Sequence, residues 1–174
     1  MTISDVKHII WAHHRNYDYR LFNSFIFHWE SDFFASAPQS HYCIEIEIKM
    51  SRSDFKADFN KTLRISDDKK HSILQDKSKL YKPNKFAFAC PEGLIQKYEL
   101  PDEYGLYYAI DKTHHLEPVK QPKFLHKNNM FKDINFVTQL MNKFYYRNID
   151  LRIALGIREY DAKYGQKNID YSLY

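Results

Sequence analysis

Between residues 42 and 49 the chain reads YCIEIEIK, three isoleucines alternating with two glutamates and ending on a lysine. Side chains of an extended strand leave on opposite faces at successive positions. Ile44, Ile46 and Ile48 therefore belong to a core, while Glu45, Glu47 and Lys49 stand in one row on the other face. Any fold that contains this strand must supply an apolar layer on one side of a sheet and accommodate a charged row on the other.

The period changes at once in MSRSDFKADF. Ser51 and Ser53 are both competent N-caps, Ser51 and Asp54 have the Ser-x-x-acid capping spacing, and Phe55 and Phe59 lie four apart, so a helix is expected over residues 53–61. A second short helix over 68–75 is anchored by Ile73 and Leu74, and strands are expected over 85–90 (KFAFAC, stopped by Pro91-Glu92-Gly93) and 105–110 (GLYYAI). Upstream, residues 4–14 place Val6, Ile9, Ile10 and Trp11 near one helical face behind Ser4 as N-cap. A strand near 24–28 brings Glu30 and Asp32 into the sheet, and the turn-forming run 35–39 folds it back as a hairpin that sets Asp32 near Glu47. From Asp133 the residues Ile134, Val137, Leu140, Met141 and Phe144, continued by Tyr145, Ile149 and Ile153, form a helical stripe. The element order is that of a mixed α/β sheet flanked by helices, with residues 1–126 as one domain and 127–174 as a C-terminal helical extension, packed on it or used to dimerise. The one stretch resembling a linker is 118–129.

A chain of 174 residues suits one domain with a full core, and scarce Gly and Pro with abundant Tyr and Phe exclude a disordered chain. Cys43 and Cys90 have neither disulfide-framework nor zinc-ribbon spacing, which favours a reducing cytoplasmic setting, and no apolar run approaches a membrane span. The formal charge of +4 is unevenly placed. Residues 49–85 hold nine Lys and two Arg against five Asp and no Glu, an excess of six, so the rest of the chain carries −2.

A basic segment directly after a carboxylate row suits hydrolysis of a polyanion, since cations hold the phosphates while carboxylates hold a metal. Phosphodiester cleavage needs a polarised phosphoryl group and an activated water, and Mg²⁺ (or Mn²⁺) supplies both from a site of one or two carboxylates. Asp32 and Glu47 meet that requirement from neighbouring strands, with the Ile48 carbonyl as an additional ligand. Lys49 would hold the attacking water, or deprotonate it where neighbouring cations depress its pKa.

The string EIEIKMSRSDFKADF, followed by Lys70-His71, PNKFAFACPEGLI and PDEYGLYY, resembles small phage and bacterial proteins of the PD-(D/E)XK nuclease superfamily. The DNA-repair branch called MmcB-like shares its E-x-K-x-S-x-x-D-F core. The resemblance covers residues 29–126 and implies a restriction-endonuclease-like fold and metal-dependent cleavage of DNA, in phage DNA metabolism or DNA repair. It implies Asp32 and Glu47 as the acidic ligands and Lys49 as the lysine. Ser31 stands where the superfamily motif has proline, and no glutamate of the first helix faces the site, so a fourth acidic residue is unassigned.

Around these three residues, Ser51, Arg52, Ser53, Lys56, Lys61, Lys70 and His71 form the expected nucleic-acid contact surface. For Ser51 and Ser53 helix capping is the competing role, and for Lys70 and His71 plain surface placement. Glu45 reads as solvent-exposed, with support of the metal ligands as the alternative role for it and for Glu30. The pairs His13-His14 and His114-His115 point in diverging directions and argue against a zinc site, and Tyr145-Tyr146 read as core rather than base-stacking groups. The leading expectation is a Mg-dependent deoxyribonuclease. A noncatalytic nucleic-acid-binding or protein-interaction module with the same fold is the alternative, and an RNA nuclease using the same residues is a third reading. A homodimer is allowed, and the setting is the cytoplasm, that of the host for a phage-encoded chain.

Overall fold

The computed structural model describes residues 1–63 and 66–154, with side chains described as far as 151. The remainder of the C-terminal extension, and the side chain of Ile153 in its stripe, lie outside the described residues. Met1–Val137 is one compact unit and Thr138–Tyr174 a second.

Thr2, rather than Ser4, caps the first helix, α1 (Ile3–His13). Its hydroxyl accepts the Asp5 N–H at 3.3 Å while the Asp5 carboxylate accepts the Thr2 N–H at 2.6 Å, so two otherwise orphaned donors are satisfied. Next come β1 (Asp18–Phe25) and β2 (Glu30–Ser36). The strand expected at 24–28 thus lies earlier, and Glu30 and Asp32 open a strand of their own. Residues 26–29 bend instead, burying Ile26, Phe27 and Trp29, and aromatic content alone does not separate a strand from a buried bend. A turn at 38–40 leads to β3 (Cys43–Ile48), and after it α2 (Arg52–Asp58) and α3 (Lys70–Gln75). Ser51 is the N-cap of α2, accepting the Asp54 N–H at 3.1 Å, and Ser53 falls inside its first turn. The chain returns through β4 (Lys85–Pro91), β5 (Gly105–Ile110) and β6 (His115–Lys120) to α4 (Ile134–Ala154).

The six strands lie in sequence order in one sheet. The β1–β2, β2–β3 and β5–β6 pairs are antiparallel, β3–β4 and β4–β5 parallel. The fold class is therefore α/β, a mixed sheet flanked by helices with a C-terminal helix. The edge strand β6 was hidden in HLEPVK because proline argues against a strand, yet at an edge its missing N–H costs no ladder bond. The run 118–129 continues from that strand. Leu125 N–H donates to the Asn84 carbonyl at 2.8 Å and Lys123 N–H to that of Glu103 at 2.9 Å.

The two faces of the sheet are covered differently. Val6, Ile9 and Ile10 of α1 pack on Phe33, Ala35, Ile44, Ile46, Ile48, Ala87, Ala89, Tyr107, Ala109 and Leu116. Each fully buried Ile or Val of this layer contributes about 1.5–3 kcal/mol. The opposite face meets α2 and α3 through Phe55, Phe59, His71, Phe86, Phe88 and Tyr104, whose rings lie 4.5–6.3 Å apart. This is the face of Glu45 and Glu47, so the charged row is roofed rather than wet. In α4, Phe136 packs on Phe27 and Phe34, whereas Tyr145 and Tyr146, which helical spacing assigns to a core, are exposed. Cys43 and Cys90 are buried free thiols. Among the described residues no helix is long and apolar enough to cross a membrane.

Gly105 opens β5 where Pro122 crosses it. A Cβ there would stand 2.8 Å from Pro122 Cδ and 2.9 Å from Ala87 Cβ, both in rigid surroundings. Gly105→Ala is expected to lower the unfolding free energy by about 1–3 kcal/mol in a urea titration, with no change in the m-value.

Candidate active site

β2 and β3 pair with Phe33 opposite Ile46 and Phe34 opposite Glu45, a register whose next step sets Asp32 across from Glu47. The juxtaposition read from the sequence is present, and Asp32 is tied to β3 directly, its Oδ2 accepting the Ile48 N–H at 2.8 Å. Ile48, expected to offer its carbonyl to a metal, thus also contributes its N–H.

The row itself departs from expectation. Glu45 is 0% exposed, not solvated, and Glu47 and Lys49 are buried with it. Lys70, also 0% exposed, sends its ammonium from α3 to Glu45 Oε1 at 2.6 Å and to Glu47 Oε1 in a still shorter contact. The Trp29 indole N–H donates to both Glu45 oxygens at 2.8 and 2.9 Å. Lys49 donates to Asp58 Oδ1 at 2.7 Å and reaches Glu47 Oε2 at 3.4 Å, with the exposed Asp54 3.8 Å away. Asp58 Oδ2 lies 2.7 Å from His71 Nε2, and His71 Nδ1 lies 2.9 Å from the Tyr104 hydroxyl. A carboxylate only accepts, so Nε2 carries a proton directed at Asp58.

Lys70 and His71 are therefore interior groups, and neither the phosphate-gripping nor the surface placement applies to them. The omission was Asp58, together with the partners of Lys70 and His71. The available signal was helical spacing. Asp58 falls three residues after Phe55, and Lys70 falls three and four before Ile73 and Leu74, so each shares the buried face of its helix. The loop between the helices is drawn closed by the Lys70 N–H donating to the Lys61 carbonyl at 3.2 Å, which fixes where α3 begins. Its far end is held by Lys82, whose buried ammonium donates to the carbonyls of Ile73, Leu74 and Asp76 at 2.7–3.1 Å. Three of the nine lysines in the basic segment thus turn inward. Ser51, Arg52, Ser53, Lys56 and Lys61 do lie exposed, with Arg52 paired to Glu99 through both guanidinium nitrogens at 2.5–2.6 Å. Glu30 is not in the ion-pair network but lines a cavity of about 160 Å³ with Trp29, Lys61 and Lys70.

The electrostatics sort the residues by role. Burial pushes Lys49 down, but the charges of Glu47 and Asp58 and the bond to Asp58 outweigh it and hold the group above its ordinary value. Lys49 is thus an ammonium that donates hydrogen bonds, not the depressed base that a cationic neighbourhood would have made. Burial pushes Lys70 down as well, and Glu45, Glu47 and Asp58 raise it further than burial lowers it. Asp58 is raised by burial yet held below its usual range by His71, Lys70 and Lys49. Asp32 goes the other way, pushed up to about 6 by burial and then by the Glu47 charge, with the Ile48 N–H opposing.

The buried and half-buried carboxylates Asp32, Glu45, Glu47 and Asp58 outnumber the two ammonium groups of Lys49 and Lys70, and burial pushes Glu45 up to about 7 as it pushes Asp32 up to about 6. Among the described residues no three His, Cys, Asp or Glu side chains form a metal-binding group. The donor set is the pair Asp32 and Glu47, hard oxygen ligands of the number that magnesium takes, in a site where acids outnumber cations. The residues fit such an ion.

Comparison with known proteins adds the fold and nothing on chemistry. No protein-family model matches the chain, and no curated protein matches it. A solved structure, the SPO1766 protein of unknown function from Silicibacter pomeroyi, is similar at TM-score 0.63 and 18% identity over 87% of this chain and 91% of that one.

The raised carboxyl of Asp32 has a measurable consequence. A folded pKa near 6 against an ordinary 3.8 means the folded state binds this proton more tightly than the unfolded chain. Stability contributed by the bound proton is full below about pH 4 and is lost as pH climbs through about 6. Asp32→Asn, neutral at every pH and still able to accept the Ile48 N–H, is expected to match wild type at pH 4 and to exceed it by about 1–3 kcal/mol above pH 6 in urea unfolding. A difference independent of pH would contradict this origin.

Proposed function

We propose that the protein is a metal-dependent nuclease acting on DNA, with Asp32 and Glu47 as ligands of a divalent ion, magnesium or manganese, joined by the Ile48 carbonyl, and Lys49 beside the reacting phosphate. The observation that carries this reading is the strand pairing that sets Asp32 opposite Glu47, with Lys49 one step along the same face. The likeness of the sequence to the PD-(D/E)XK superfamily supports it, as do the excess negative charge of the site and the exposed cations of α2.

When bound, the divalent ion would polarise the phosphoryl group and lower the pKa of a water. The protein's own share follows from the geometry. Asp32 is half-buried at the accessible end of the network, and Glu47 is held against rotation by lysines on both oxygens. Lys49, kept charged by Asp58 and Glu47, donates a hydrogen bond to the attacking water or to a phosphate oxygen and so stabilises the negative charge that develops there. Asp58, itself held by His71, fixes the direction of that donor. Lys56 and Lys61 remain available for the backbone phosphates on either side of the scissile bond.

Incubation with plasmid, linear and single-stranded DNA, and with RNA, in Mg²⁺, Mn²⁺ or EDTA tests the reading. Cleavage of DNA is expected to require the metal, to vanish in Asp32→Asn and Glu47→Gln, and to fall about 10²–10⁴-fold in Lys49→Ala. Equal behaviour of wild type and these variants in every metal would remove the enzymatic reading. Metal-independent binding that weakens steeply with salt would instead support a noncatalytic nucleic-acid-binding module.

A further inference from the structure

Resting on the metal-dependent reading above, we infer that Lys70 is a permanent internal cation that takes the place of a second metal ion, so that the site accepts one divalent ion and not two. Two-metal phosphodiesterases hold their ions about 3.5–4 Å apart between several carboxylates. Glu45, Glu47, Asp32 and Asp58 would supply enough acidic groups for such a pair. The position between Glu45 and Glu47 is already filled, however, by the Lys70 ammonium, 2.6 Å from Glu45 Oε1 and in contact with Glu47 Oε1.

The ammonium is boxed in. The rings of Trp29 and Phe86 lie 5.6 and 5.0 Å from it, and the Trp29 N–H occupies the Glu45 oxygens from the other side. Lys70 is 0% exposed, and its backbone is fixed at the start of α3 by the Lys61 carbonyl, so the charge cannot swing into solvent without lifting the helix. Matters differ at the Asp32 end. Asp32 is half-buried and only its Oδ2 is engaged, by the Ile48 N–H, while Glu47 Oε2 has just the long 3.4 Å contact to Lys49. The row is thus divided: an inner half occupied by an amino-acid cation, and an outer half left for an external one.

Counting Mn²⁺ by electron paramagnetic resonance at pH 8 on the full chain tests this without reference to activity. Wild type is expected to bind one ion, Lys70→Met two, and the charge-balanced double variant Lys70→Met/Glu45→Gln one again. If Lys70→Met is unfolded in EDTA, Mn²⁺ is expected to restore its circular dichroism, the ion standing in for the lost ammonium. Two ions in wild type, or a folded Lys70→Met that still binds one, would overturn the inference while leaving the metal-dependent reading intact. So would failure of Mn²⁺ to refold Lys70→Met when the double variant folds. Wild type that binds no ion would overturn both.

Discussion

A charged strand face can be covered by helices only if the helices bring their own cations, and Lys70 is the residue on which that condition rests. Each carboxylate taken out of water costs several kcal/mol even after relaxation, and close, fully hydrogen-bonded partners are needed to offset it. Glu45 has Lys70 on one side and the Trp29 indole on the other; Glu47 has Lys70 and Lys49. Without the ammonium of Lys70, α3 would seal Glu45 against Phe86 with no cation and leave Glu47 with only the long contact to Lys49. The position of the helix, the burial of the row and the closed roof over that half of the sheet are one interdependent arrangement.

The sheet topology prepares this arrangement. β4 is buried along its interior, Phe86 to Cys90, as a strand paired in parallel on both sides must be when layers cover both its faces. The crossover between β3 and β4 is the segment that carries α2 and α3, so the helices that supply Asp58, Lys70 and His71 leave from and return to the strands they cover. On the far face α1 meets an apolar layer of aliphatic side chains with Phe33 and Tyr107. The two faces therefore divide the labour: one holds the sheet together by apolar burial, and the other spends part of its packing on a polar network.

Much of this was legible in the residues. Period-two alternation located β3, β4 and β5 to within a residue or so, capping chemistry and phenylalanine spacing located α2, and the turn after β2 implied the pairing of Asp32 with Glu47. What alternation cannot say is what covers a polar face, so Glu45 read as wet when it is the most deeply buried acid of the set. The basic stretch was read from composition as a surface, yet Lys49, Lys70 and Lys82 point inward because each meets carboxylates or helix-terminal carbonyls there. The Lys70–Glu45 pair spans 25 residues of sequence, beyond the reach of any local rule. Within each helix, though, the buried face was marked by its neighbours: Phe55 for Asp58, Ile73 and Leu74 for Lys70.

The charge balance of the network argues that more than fold maintenance is at stake. A purely structural cluster lowers its energy by pairing every ion, and Glu45, Glu47 and Asp58 each touch an ammonium, although the three share two cations and burial pushes Glu45 up to about 7. Asp32 breaks that rule: half-buried, beside Glu47 and lacking a cation of its own, it is pushed up to about 6, which means that its ionised form destabilises the fold near neutral pH. Nothing in the packing of β2 requires an acid there, since an amide would accept the same Ile48 N–H. An ionised side chain kept where it opposes stability, next to a buried carboxylate and a lysine held in its charged form, is the arrangement that the proposed divalent-ion site requires. The proposed single-ion site follows from the same imbalance: Lys70 occupies the position between the inner carboxylates, and Asp32 is the half-buried acid of the row that no ammonium touches.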